Sequence, residues 1–249
     1  MTTMMKAMFV LLMLLMITNP ATSGAQWQLD IESGLVLAGY NDVRIPGDTG
    51  TLLSLSEELE INPSSFFRLR LQYSLGERHT VGVLIAPLRL EAKGTIDRQV
   101  TFQDQEYAAN TQLDSRYRFD SYRLTYRYDF FRSDDLQLGL GPTAKVRDAS
   151  ISLAGDNKKS EKKNTGFVPL LHFRCQWMFA DQFGLLLAGD ALAAPQGRAE
   201  DVLLALCYWP SERIGMKTGY RILEGGADND DVYTFTLIHY IVAGAMFAF

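Results

Sequence analysis

The sequence predicts an all-β chain closed into an antiparallel transmembrane β-barrel, most simply of ten strands, and three observations lead there. From Asp231 to Phe249 the residues alternate so that Phe249, Phe247, Ala245, Ala243, Ile241, Leu237, Phe235 and Tyr233 share one apolar face with aromatic ends. Beyond residue 25 no segment offers the roughly 18 uninterrupted apolar residues of a membrane helix, and the other structure that satisfies every backbone hydrogen bond in lipid is a closed barrel. Near-neutral mean hydropathy agrees with this, because barrel strands hide their hydrophobicity in alternation.

The amino-terminus reads as a leader. Lys6 precedes the apolar run Ala7–Ile17, and small residues end at Ser23-Gly24-Ala25, so a secretory signal peptide over 1–25, cleaved after Ala25, is expected. The apolar run is about half of the roughly 20 residues a membrane anchor needs. A single barrel domain then covers 26–249. The formal charge of −5 argues against a nucleic-acid partner. Cys175 and Cys207 fall on strands that need not be neighbours, so no disulfide is expected.

Alternation and turn residues mark strands near 26–44, 62–75, 80–95, 116–131, 135–148, 164–180, 183–193, 201–210, 213–224 and 232–249. Most reach the roughly 9–11 residues of a tilted membrane strand. Taking the apolar member of each alternating pair as lipid-facing sends the other inward, since a charge on the lipid face near the midplane costs about 2–4 kcal/mol. The first strand then directs Asp30 and Glu32 inward, and the second, with Phe67, Leu69, Leu71 and Tyr73 to lipid, Arg68, Arg70 and Gln72. The third sends in Arg89, Glu91 and Lys93; the fourth Arg123, Thr125, Arg127 and Asp129; the fifth Lys145 and Arg147. The sixth contributes His172, Arg174 and Gln176, the seventh Asp190, and the ninth Lys217 and Arg221. Register is weak in the seventh, eighth and tenth strands, where His239 lands on the lipid side by strict parity.

The connections alternate in length. Leu75–His79, Arg132–Asp135, Ala180–Gln182 and Pro210–Glu212 are tight and polar, whereas 45–61, 96–115, 149–163, 194–200 and 225–231 are long. Aromatics gather at the short-turn end: Trp27, Tyr73, Tyr128, Phe130, Trp177, Phe179, Phe183, Tyr208, Phe247 and Phe249. Phe67, Tyr122, Phe167, Tyr220 and Phe235 are placed for an opposite girdle. With its closing aromatic strand and terminal Phe249, the chain resembles the bacterial outer-membrane β-barrels. That resemblance implies the bacterial outer membrane as location, short turns in the periplasm, and the barrel-assembly machinery as a partner in biogenesis.

The inward set holds eleven Arg or Lys against five Asp or Glu. A barrel this small is close to the width that side chains fill, so a lumen packed with ion pairs is one expectation. A narrow anion or small-solute channel is the other, since rings of Arg and Lys favour anions. A rim hydrolase is a third possibility, built from His172, Glu200, Asp228, Asp230 and Asp231; an acid/base pair needs its imidazole within hydrogen-bond reach. The omptin proteases are similar in strand number, but no omptin motif is found, and the likeness to lipid A deacylases and outer-membrane phospholipases stops at the barrel. No catalytic residue, metal or cofactor is therefore assigned.

Three loops carry further expectations. Gly225–Asp231 has oxygen-rich character that suits calcium, but turn conformation explains its Asp and Asn residues, with Arg198 packing across them. Lys158–Lys163 is a basic tip suited to lipopolysaccharide phosphates. In 45–61, Ser54 and Glu57 in capping positions with Leu52, Leu55 and Leu59 at helical spacing predict a short amphipathic helix covering the barrel mouth. The expected function is structural or surface-interacting, through loops that meet outer-membrane lipid and lipopolysaccharide, in a monomer.

Overall fold

The computed structural model describes residues 27–194 and 197–249; the leader segment 1–25 lies outside them. The described chain is built from β1 (Trp27–Arg44), β2 (Leu53–Ser54), β3 (Glu60–Ile61), β4 (Ser64–Leu75), β5 (His79–Ala86), β6 (Arg89–Thr95), β7 (Val100–Phe102) and β8 (Gln105–Tyr107). It continues through β9 (Gln112–Arg132), β10 (Leu136–Gly155), β11 (Lys158–Ala180), β12 (Phe183–Ala194), β13 (Gly197–Ser211), β14 (Ile214–Asn229) and β15 (Val232–Ala248).

Ten of these elements' paths close a barrel. β1 pairs antiparallel with β15 on one side and β4 on the other, and β4, β5, β9, β10, β11, β12, β13, β14 and β15 follow in order. β5 and β6 are one barrel strand broken at Pro87–Leu88, because both hold a single register against β9, from His79↔Tyr128 to Thr95↔Gln112. Proline cannot donate to the ladder; pairing resumes where Phe119 N donates to Leu88 O at 3.0 Å. The ends are stitched together, Trp27 N to Phe249 O and Phe249 N to Trp27 O, each 2.9 Å. Both cysteines are free.

The segments 149–163 and 225–231, and the described residues of 194–200, expected to be loops, are largely strand. β9, β10 and β11 run 21, 20 and 23 residues, about twice what a membrane crossing requires, so they project beyond the bilayer. β10 and β11 meet at Asp156–Asn157, with φ of 50° and 58°. Left-handed conformation at both central residues makes the tight hairpin turn that Asp and Asn tolerate, so no long loop is needed.

The helix expected in 45–61 does not form. β2 pairs with β1 through Val43↔Leu53 and β3 with β6 through Ile61↔Ala92, and pairing at both ends leaves room for one turn, where Glu58 N donates to Ser54 O at 3.0 Å. The capping partner is Glu58 rather than Glu57: Ser54 N donates to Glu58 Oε1 at 2.9 Å. The segment does cover the mouth. Leu53, Leu55 and Leu59 are buried with Val43, Ile45, Leu88, Leu90, Ile96, Val100, Phe102, Tyr107 and Leu153, while Leu52 stays exposed. The β7–β8 hairpin completes this cap and is pinned by the Tyr107 hydroxyl, which donates to Leu153 O at 2.8 Å and lies 2.7 Å from Ser160 Oγ.

Polarity reverses along the barrel wall. The outward row Ile85, Tyr122, Val146, Phe167 is apolar and exposed. One step higher stand Pro87, Asp120, Asp148 and Thr165, then Arg89, Arg118, Ser150 and Lys163, then Glu91, Arg116, Ser152 and Glu161. Inside, the sign is opposite. Below that level Arg123, Lys145, Thr125 and Thr143 are buried; above it Leu88, Leu90, Ala92, Tyr117, Ile151 and Leu153 are buried.

Candidate functional site

The lumen is crossed by ion pairs between strands that are not neighbours, which fixes these side chains as internal. Asp201 on β13 accepts from Arg68 on β4 at 2.8 Å, Arg123 on β9 at 2.5 Å and Arg221 on β14. Glu32 on β1 faces Lys217 at 2.6 Å, Arg221 at 2.8 Å and Arg68 at 3.5 Å, while Lys217 also reaches Asp30 at 2.6 Å. Asp190 takes Arg123 at 2.5 Å, His172 Nδ1 at 2.9 Å and Thr143 Oγ1 at 2.8 Å. Nearer the short-turn end, Arg127 bridges Asp129 at 2.7 Å and Thr80 at 2.9 Å, and Arg174 bonds Gln137 and Gln176. Multiple charge-assisted bonds to each buried carboxylate offset the desolvation that an isolated ion would suffer.

Little space remains in this layer. The cavity among Asp30, Glu32, Arg70, His172, Arg174 and Arg221 is about 40 Å³, and the one among Phe66, Arg68, Arg123 and Tyr240 about 10 Å³. A cavity needs roughly 10–15 Å³ to hold one water, so the two are water-sized spaces. Apolar side chains of β13 and β15, among them Leu203, Ala205, Ile238 and Val242, fill the facing wall.

Asp30, Glu32, Arg68, Arg70, Arg123, Arg127, Asp129, Lys145, Arg147, His172, Arg174, Asp190, Lys217 and Arg221 stand on the inward face. Arg89 and Glu91 do not. Their side chains are 53% and 64% exposed on the outer wall, Arg89 with Asp120 and Glu91 3.3 Å from Arg116. They stand above the lipid level, where Leu88, Leu90 and Ala92 turn inward beneath the cap and the apolar member of each pair is the internal one. Lys93, 3.1 Å from Asp114, is outside for the same reason. Asp201, the first residue of the strand expected over 201–210 and not among the residues expected inward, is the hub of the lumen.

The rim residues do not come together. His172 is buried against Asp190, far down β11, and Glu200 lies on the outward parity of β13. Asp228, Asp230 and Asp231 sit at the exposed β14–β15 turn, where Asn229 Oδ1 accepts from Asp231 N and Val232 N at 3.0 Å. Arg198 pairs with Glu224 and Tyr40, 5.5 Å from the Phe235 ring, rather than with those acids. Among the described residues no group of His, Cys, Asp or Glu is arranged to hold a metal ion.

Girdle aromatics contact one another on the outer wall: Trp27–Tyr73 at 4.7 Å, Trp177–Phe179 at 5.8 Å and Phe183–Tyr208 at 4.8 Å between ring centroids. His239 is outward, stacked on Tyr220. Gly39 opposite gives it room, since a Cβ there would lie 2.6 Å from its Nε2.

No family model matches the sequence, and no curated protein matches it in sequence. In structure it is similar to the outer membrane protease OmpT of Escherichia coli, at 9% identity and a TM-score of 0.59 over 93% of this chain and 99% of that one. The transport unit of the autotransporter AIDA-I, also of Escherichia coli, matches at 8% identity and a TM-score of 0.50 over 94% of each chain. At these identities the likeness speaks to fold alone.

Proposed function

We infer that the chain, a bacterial outer-membrane β-barrel with its apolar belt and aromatic girdles in that membrane, turns its short connections toward the periplasm. We propose that it works through the half projecting outside, as a surface-interaction protein, and that its membrane half is a closed support. One observation carries this: the lumen at membrane depth is occupied by the Glu32, Asp190 and Asp201 networks, while the charged, accessible surface lies on the outer wall above the belt.

Lipopolysaccharide is the proposed partner on that wall. Arg89, Arg116, Arg118, Lys159 and Lys163 border a groove of about 440 Å³ directly above the lipid-facing row, where lipid A phosphates would stand. Two of its cations are held by partly exposed ion pairs, Arg118–Asp148 at 2.8 Å and Lys163–Glu161 at 3.2 Å. Such pairs are worth about 0–1 kcal/mol each, so a phosphate can replace either carboxylate at low cost. The expected behaviour is salt-sensitive binding of purified lipopolysaccharide, weakened about tenfold by Arg116→Glu with Lys159→Glu; unchanged binding would remove the partner. The refolded barrel should be silent in a planar bilayer. Discrete anion-selective steps would instead favour the channel.

A further inference from the structure

A second site opens through the wall of the barrel, on residues that neither the lumenal network nor the outer groove uses. β11 pairs with β10 from Lys158 to Trp177, but with β12 only from Leu171↔Ala191 downward. Above that point β11 and β12 part. Pro169 stands on the parting edge of β11, where its missing N–H removes a bond to β12. The notch begins beside Phe167, the top of the lipid-facing row, and so meets the bilayer at headgroup depth.

Behind the notch lies a cavity of about 390 Å³, within the roughly 300–1,000 Å³ of small-molecule sites. Phe119, Val168, Leu192 and Leu223 line it, and Leu192 is exposed although it stands on the inward parity of β12. Lys145 forms its floor at 2% exposure. The ammonium is held only by the Phe119 ring, 4.8 Å from Nζ to the centroid; among the described residues it makes no ion pair or hydrogen bond. Arg147 lines the same cavity, with its Nη2 bonded to Asn164 and its buried Nε without a partner. A buried cation without an anion is costly, and here the missing partner has a way in from the membrane surface.

We propose that this notch binds a single-chain amphiphilic anion, its carboxylate or phosphate head on Lys145 with Arg147 beside it. The acyl chain lies against Phe119, Val168, Leu192 and Leu223 and leaves between β11 and β12. The proposal does not depend on the outer groove or on lipopolysaccharide.

The test uses the refolded protein in nanodiscs, with dansyl-undecanoate as the fluorescent probe and dodecanoate, dodecyl phosphate and dodecanol as competitors. Saturable probe binding is expected, with one or both anionic competitors at least about tenfold stronger than dodecanol, the order of a charge-assisted contact. The stronger of the two identifies the headgroup. Lys145→Met should erase the advantage of the anions, Lys145→Arg should keep it, and Leu192→Trp, which fills the cavity, should abolish probe binding. Equal competition by dodecanol, or wild-type binding by Lys145→Met or by Leu192→Trp, overturns the proposal; heat-modifiable gel mobility confirms that each variant is folded.

Discussion

The membrane half and the projecting half of this barrel share strands and register but are built with opposite polarity. On β9, Leu124 and Tyr122 face lipid while Arg123 is buried; a few residues along, Arg116 faces out while Leu113 and Tyr117 are buried. The strand itself does not change, since a β-strand alternates whatever surrounds it. The solvent changes, and the apolar member of each pair follows it, outward into lipid below and inward beneath the cap above. Cohesion therefore differs: ion pairs across the lumen hold the lower half, and apolar packing of the 45–61 and β7–β8 segments holds the upper.

Breaking the lower network should have the largest effect. Asp201→Ala leaves Arg68, Arg123 and Arg221 around an empty position, and a cost of about 3–5 kcal/mol is expected for a broken buried ion pair. Urea unfolding in lipid vesicles measures it; a loss below about 1 kcal/mol would mean the network is not structural. The reversal itself is sharpened by two substitutions on the outward face of β9. Leu124→Arg should cost about 2–4 kcal/mol in the same assay, whereas Arg116→Leu, above the belt, should stay within about 0.5 kcal/mol. Equal costs would erase the distinction.

In the upper half, Tyr107→Phe leaves Leu153 O and Ser160 Oγ without their partner, at about 1–3 kcal/mol. Faster hydrogen exchange confined to 96–111, with the membrane strands unchanged, is the expected result.

The smallest effect belongs to the cap's ion pair. Burial pushes the Glu58 carboxyl up, but the Arg98 hydrogen bond, the Ser54 N–H and the Arg98 charge together hold it below its ordinary value of 4.5. A carboxyl lowered in the folded state gives stability that is complete above the unfolded value and is lost as pH falls through the folded one. Protection of 45–61 against exchange should thus be constant above about pH 4.5 and decline below it. Arg98→Ala should weaken that dependence, leaving the Ser54 N–H contribution, at a cost of about 0.2–1 kcal/mol.

The strands were legible in the sequence wherever a charge alternates with a large apolar residue, as in Phe67-Arg68-Leu69-Arg70 or Tyr122-Arg123-Leu124. Asp201 was not, because β13 offers Leu203, Ala205 and Cys207 on one face and Val202, Leu204 and Leu206 on the other, with no contrast to say which is inside. Arg89 and Glu91 read as inward residues because alternation reports that two faces differ, not which solvent each meets. The 149–163 hairpin looked like a loop because its outward residues are charged and its turn is only Asp156–Asn157. Lys145 is legible as an inward cation, but its lack of an ion-pair partner depends on where β11 and β12 part, and no local pattern records that.

The reversal of polarity is tested most directly by spin labels placed singly at 126, 124, 122, 120, 118, 116 and 114 in a cysteine-free chain reconstituted in lipid, comparing accessibility to oxygen and to a water-soluble nickel chelate. Lipid exposure through 122 and water exposure at 118, 116 and 114 are predicted, with the change falling at 120, where Asp120 is covered by Arg89 and Arg118. Lipid exposure continuing to 116, or water exposure already at 124, would contradict it.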